Sequence, residues 1–292
     1  MSPVLISNEI SMIVNSNPAD GASNVTSDGS FFQVNLEDGG IQIPVDALNV
    51  NVSVESASVW FSTPNIISAD SLDGKLKKNN VLYINAPVTT GGNADFVLPI
   101  DTGLYDLTAL NEAIFTQIKT TTITTGSNSP IVFDADTATG KIFCIFNEPS
   151  VTINFVPADT FRDILGFNSG TITSPAGASQ TTPKSVDAPN TARFNTLTSY
   201  LIHSDIVQNG IRFNNSYNQT LTDVIIGDAA PFEQINSTPF NPPRIEANEL
   251  CGIHRNNIGF WLTDQDNNRI NTNGEYWQFR MVIRYNTVLV LS

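Results

Sequence analysis

His203-Ser204-Asp205 is the one stretch that spells out the residue types of a nucleophilic relay. A working relay needs the histidine within hydrogen-bond reach of both partners. Neighbours on a strand point to opposite faces, so these three cannot build the relay among themselves. His203 and His254 are the only histidines. A histidine zinc site would need both plus a carboxylate or thiolate, and no HxxxH spacing occurs. Asp134-Ala135-Asp136-Thr137-Ala138-Thr139-Gly140 carries carboxylates at alternate positions, as some calcium loops do. No later Glu completes the loop, so it reads as a polar turn between strands. Asp264-Gln265-Asp266 reads as a turn for the same reason. No catalytic residue, cofactor or metal ligand is assigned.

Glycoside hydrolysis needs two facing carboxylates, and Glu55, Glu148, Glu246 and Glu275 qualify by type. Trp60, Trp261 and Trp277 offer a sugar platform, although tryptophans in mid-strand are more often core. Gly91-Gly92 reads as a turn, and no glycine-rich phosphate loop is present. Lys75, Lys77 and Lys78 form one basic cluster, read as a solvated loop tip.

The elements that must position these residues are strands. Ile258 to Thr263 and Glu275 to Tyr285 read as two apolar strands joined by a polar turn, Asp264 to Gly274. In the second, Glu275, Trp277, Phe279, Met281 and Ile283 share one parity, while Gln278, Arg280 and Arg284 take the other. That period of two predicts one buried face and one wetter face. Val50 to Phe61 alternates in the same way. Shorter strands are expected at Phe31 to Leu36, Val81 to Ile84, Phe96 to Ile100, Leu197 to Val207 and Thr220 to Ile226.

Between them the pattern changes. Asp106 can cap a helix whose apolar positions are Leu107, Leu110, Ile114, Phe115 and Ile118. A Thr-rich loop and three strands follow, at Ile131 to Phe133, Lys141 to Phe146 and Val151 to Val156. A second short helix is expected, with Thr160 and Asp163 as a capping box and Gly166 as a left-handed stop. The domains expected are an N-terminal arm (1–29), a first β part (30–100), an α+β insertion (101–168), a Ser/Thr/Gly/Pro-rich loop (169–192) and a second β part (193–292). In Pro231 to Pro243, an extended crossover, Phe232, Ile235 and Phe240 are possible docking points. Strands of this length between Gly, Pro and Asn turns give an all-β fold, a β-sandwich with jelly-roll topology among the options.

Composition limits the partners. The chain has 292 residues, 40% hydrophobic and only 14% charged, with a net charge of −14. Such a balance disfavours coating nucleic acid and binding an anionic membrane. No apolar run is long enough to span a bilayer, and the first residues lack the features of a signal peptide. Cys144 sits in an apolar run and reads as a buried free thiol; with Cys251 it allows at most one disulfide. Sequons at Asn24, Asn51, Asn214, Asn218 and Asn236 are expected by chance in an Asn- and Thr-rich chain.

Three segments, in order, resemble the penton (minor capsid) proteins of virophages and polinton-like viruses. They are Val59-Trp60-Phe61-Ser62-Thr63-Pro64-Asn65-Ile66 with Gly103-Leu104-Tyr105-Asp106-Leu107-Thr108-Ala109-Leu110-Asn111; Thr160-Phe161-Arg162-Asp163-Ile164-Leu165-Gly166-Phe167; and Ser199-Tyr200-Leu201-Ile202-His203-Ser204-Asp205-Ile206-Val207 with Leu262-Thr263-Asp264-Gln265-Asp266-Asn267-Asn268-Arg269 and Gly274-Glu275. The resemblance spans most of residues 50–285. It implies a jelly roll with an insertion domain that forms homopentamers at capsid vertices, among trimers of a double-jelly-roll major capsid protein. It also implies a virion location after assembly inside the infected cell, with no secretion and no enzymatic activity. The alternatives are a double-jelly-roll major capsid protein, which would be a trimer, and a carbohydrate-binding module or glycosidase on a β-sandwich.

Overall fold

The computed structural model describes residues 4–37, 39–123, 129–195, 197–213 and 216–289. Met1 to Pro3 of the arm, Asp38 of a turn, Thr124 to Asn128 of the Thr-rich loop and the sequon residue Asn214 lie outside them. The chain forms two compact units, Met1–Thr63 with Leu197–Ser292, and Pro64–Thr196. The first unit opens with β1 (Val4–Asn15), β2 (Ala22–Ser23), β3 (Phe31–Asn35), β4 (Ile41–Gln42) and β5 (Leu48–Trp60). The second holds β6 (Val81–Pro87), β7 (Asn93–Pro99), α1 (Leu107–Lys119), β8 (Ile131–Asp136), β9 (Lys141–Phe146), β10 (Thr152–Asn154), α2 (Arg162–Leu165), β11 (Thr171–Thr173) and β12 (Lys184–Thr191). The chain then returns with β13 (Ser199–Ser204), β14 (Arg212–Phe213), β15 (Ser216–Tyr217), β16 (Thr220–Ile225), β17 (Gln234–Ser237), β18 (Ile245–Glu246), β19 (His254–Arg255), β20 (Asn257–Thr263) and β21 (Gln278–Leu289).

The fold is all-β, a jelly-roll sandwich with an α+β unit inserted in the chain. In the first unit one antiparallel sheet runs β1-β21-β5-β17, with β18 also on β5, and the other runs β16-β13-β20-β3-β2. β5 forms because Val50, Val52 and Val54 alternate with polar residues, and all three are buried. The apolar parity then switches to Ala57 and Val59. A β-bulge explains the switch: Met281 lies opposite Val54 and Arg280 opposite Ser56, so Glu55 is the extra residue. Ring contacts join the inner faces. Phe32 meets Trp277 edge-on at 5.0 Å, and Phe260 meets Phe279 at 5.2 Å. Edge-to-face pairs of this kind add to the area they bury.

β20 and β21 are strands as expected, but not partners. β20 pairs with β13 and β3, whereas β21 pairs with β1 and β5. The connection folds on itself through an isolated Thr263–Arg269 bridge instead of closing a hairpin. Two strands that each carry an aromatic face bury more by facing each other across the sandwich than by lying side by side.

The second unit has a β11-β10-β6-β7 sheet and a β12-β9-β8 sheet. α1 starts as expected, with the Asp106 carboxylate accepting from the Ala109 N–H at 2.7 Å. Its Leu110, Ile114 and Ile118 are buried in a core shared with Leu82, Phe133 and Phe146. Asn111 fixes the helix to β8: its amide donates to the Phe133 carbonyl at 2.7 Å and accepts from the Phe133 N–H at 2.9 Å.

Several expectations change. The unit boundaries fall at Pro64 and Thr196, wider than 101–168, because β6 pairs with β10 and carries β7 on its other side. Residues 169–192 are not a free loop. β11 pairs with β10, and β12 with β9, with Ala178 and Ala188 buried. Main-chain ladders and small anchors order a stretch that lacks large apolar side chains. Thr160 does not cap α2; its hydroxyl donates to the Pro157 carbonyl at 3.1 Å and no side chain caps the helix. Gly166 does end it, at φ 81°. The arm is strand β1, paired with β21 from Val4–Leu289 to Asn15–Gln278.

Candidate functional site

His203 lies in the middle of its sheet on β13, opposite Trp261 of β20 and Thr220 of β16. Its Nε2 is 2.7 Å from the Thr263 hydroxyl and its Nδ1 is 3.1 Å from that of Thr220. A neutral ring needs one donor and one acceptor, and threonine hydroxyls supply either. Burial, with a smaller effect from the Arg269 charge, lowers the ring to about 4. Ser204 points to the other face, where its hydroxyl donates to the Gly259 carbonyl at 3.0 Å and accepts from the Ile206 N–H. Asp205 accepts from the Gly259 N–H at 2.9 Å. His203 thus bonds two threonine hydroxyls while Ser204 and Asp205 hold backbone groups of Gly259 and Ile206, so the three do not form a relay.

The acidic runs are turns. Asp136 accepts from the Thr139 hydroxyl at 2.7 Å and the Ala138 N–H at 2.9 Å, and these bonds lower its pKa. Asp264 accepts from the N–H groups of Asp266 and Asn268 at 2.9 and 2.7 Å, and from the Asn268 amide at 2.8 Å. Among the described residues, no group of three His, Cys, Asp or Glu side chains is placed to hold a metal ion.

Each of the four glutamates has its own surroundings. Glu55 binds Arg284 and lies 3.6 Å from Arg280; Glu246 binds Asn248; Glu275 is exposed; and Glu148, in the second unit, accepts from Gln180 at 2.9 Å. The tryptophans make no platform either. Trp277 is buried, stacked on Phe279 with its N–H on the Gly29 carbonyl. Trp261 stacks on His203. Lys77 and Lys78 pair with Asp70 and Asp159 at 2.9 and 3.3 Å, so the basic cluster is partly neutralised. Both cysteines are free, and burial pushes the Cys144 thiol far up, leaving it inert. Among the described residues no helix is long and apolar enough to cross a membrane.

What the first unit offers instead is surface. Among the described residues β1 is the edge strand of its sheet, and Val4, Leu5, Ile6 and Ile13 on it are exposed. Unprotected apolar edges are templates for pairing, and monomeric proteins blunt them. On the outer face Arg284 clamps three strands, donating to Glu9 of β1 at 3.1 Å, to Ser53 of β5 at 2.9 Å, and to Glu55. At the opposite edge of this sheet Ile235 is buried, but Phe240 stands wholly in solvent and Phe232 is half exposed. Only one of the three expected docking points thus docks within the chain. The sequence signal for the other two was their Pro-rich setting, since proline removes ladder donors; Phe232 keeps one backbone bond, donating to the Phe61 carbonyl at 2.7 Å.

The residues that carry the resemblance are structural corners. Ile66 and Gly103 exchange backbone hydrogen bonds at 3.1 and 3.0 Å. Asn65 holds the Tyr105 N–H and carbonyl and the Phe194 carbonyl through its side chain. Phe167, after Gly166, stacks on Phe155 at 5.1 Å. No family model and no curated protein matches the chain. Among solved structures, the crystal structure of selenomethionine-labelled mavirus penton protein is similar over 97% of this chain and 100% of that one, at 12% identity and a TM-score of 0.43.

Proposed function

We propose that the chain is a structural capsid protein, a penton that assembles with itself into pentamers at icosahedral vertices and is flanked by major capsid protein trimers. The observation that carries this reading is the open β1 edge, with its exposed Ile13, Leu5 and Val4. A chain that remained monomeric would cover or charge such an edge. The three penton-like segments supply the specific class, and their residues sit at corners that set the fold. A closed ring needs a heterologous contact, with a different patch on each side of the protomer. The first unit has such patches at the two edges of one sheet. The role needs no catalytic residue and no cofactor.

Native mass spectrometry across a concentration series tests this. A five-fold multiple of the 31.7 kDa chain is the expected result. A trimer would replace this reading with a major capsid protein. A strict monomer that binds glycans would replace it with a sugar-binding module.

A further inference from the structure

We infer that the subunit contact joins the two lateral edges of the β5 sheet, with Phe240 of one copy packing on Ile13 of the next and Arg244 meeting Glu9. This rests on the self-assembly reading and adds which surfaces mate. Ladder levels carry the argument. Ser237 is opposite Ala57, which is opposite Phe279, which is opposite Val14. In the same way Ile245 is level with Val52, Ile283 and Ile10. The segment 238–244 therefore spans the levels of Ile13 to Ser11, at the other edge of the same sheet. A copy displaced sideways by one sheet width brings that segment against β1 of its neighbour.

The two edges complement each other. Ile13 is 79% exposed and Phe240 is fully exposed. Arg244 is exposed and has no ion-pair partner among the described residues, while Glu9 is half exposed beside Arg284. Pro239, Pro242 and Pro243 remove backbone donors, so this edge cannot add a ladder and must mate through side chains. They also hold Phe240 in place at low entropic cost. Its seat is a groove of about 280 Å³ across the outer face, lined by Ile13, Ser56, Ser58, Arg280 and Thr238. One end of the groove is the apolar lip that a phenyl ring needs. Because each edge carries only one half of the contact, the pairing is head-to-tail, which excludes a two-fold dimer and gives a ring where the rotation between copies closes.

The test is a disulfide trap in the full chain, with Ile13→Cys and Phe240→Cys in a Cys251→Ser background. The two positions lie three strand spacings apart within a protomer, roughly 14 Å, which is too far for a disulfide in one copy. Mild oxidation is expected to give a ladder of covalent multimers ending at five, with the bond mapped between the two substituted positions, and neither single variant should give it. As a second arm, Phe240→Ser should raise the concentration midpoint of assembly at least about tenfold without moving the thermal melt recorded below that midpoint, where both proteins are dissociated. If the wild type is a multimer but no such bond forms and Phe240→Ser assembles normally, the edge pairing is wrong and self-assembly stands. If the wild type stays monomeric and no bond forms, both fall.

Discussion

His203 lies flat on Trp261, ring centroids 5.4 Å apart and planes 5° from parallel. The stack seals a histidine that is only 1% exposed, and its cost is a ring that resists protonation in place. The folded pKa is about 4, below the usual 6.5. The unfolded chain therefore binds more protons between those values, so stability rises with pH across them. The contribution is complete above about pH 6.5 and lost as the pH falls towards 4; it is on the order of 3 kcal/mol. Thermal melts of the wild type should fall steeply from pH 6.5 to 4, and His203→Gln should flatten that slope. Equal slopes would refute the assignment.

The sandwich depends on the rings that join its sheets. Phe32 is fully buried against Trp277 and Phe260. Phe32→Ala should cost about 3–5 kcal/mol, read as a lower urea midpoint at unchanged slope. Phe240→Ser, on a fully exposed side chain, should stay within about 0.5 kcal/mol of wild type.

Gly166 ends α2 at φ 81°, and a Cβ there would stand 2.3 Å from the Asn190 carbonyl oxygen. Gly177 has φ 80° with open space around it. Gly177→Ala should cost about 1 kcal/mol, from backbone strain alone. Gly166→Ala adds a backbone clash and should cost at least twice that, by denaturant melts. Equal losses would mean that the β12 segment gives way.

Arg284 ties β1 to β5 across β21, through Glu9, Ser53 and Glu55. Its removal should loosen the edge more than the fold. Arg284→Met should lower global stability by about 1–2 kcal/mol at most, yet speed amide exchange along Val4–Asn15 well before exchange in β5 changes. Uniform acceleration across the sheet would contradict a local clamp.

Elements with a strong period were legible in the sequence. β5, β21 and α1 announce themselves through alternation or through three-and-four spacing, and Asp106 caps the helix it precedes. The Glu55 bulge was not read, since Val50 to Phe61 passes for one alternating run although its apolar parity switches between Val54 and Ala57. The strand β12 was not legible, because it lacks large apolar side chains in alternation and its order comes mainly from hydrogen bonds to β9. Nor was the partner choice of β20 and β21. Periodicity says which face a strand buries, but not against which sheet. The fates of His203, Ser204 and Asp205 follow the alternation of strand faces, whereas the exposure of Phe240 depends on Pro-bounded chain that periodicity does not describe.

The pairing of β5 with β21 also sets an order of events in the cell. The residues of β5 leave the ribosome about two hundred residues before those of the strand that completes their ladder. The inserted unit is synthesised whole in that interval and can fold, while the sandwich waits with an aromatic face open. Long-range closure of this kind is slow. It places the chain's greatest exposure to chaperones, and to premature association with sister chains, just before the last strand arrives.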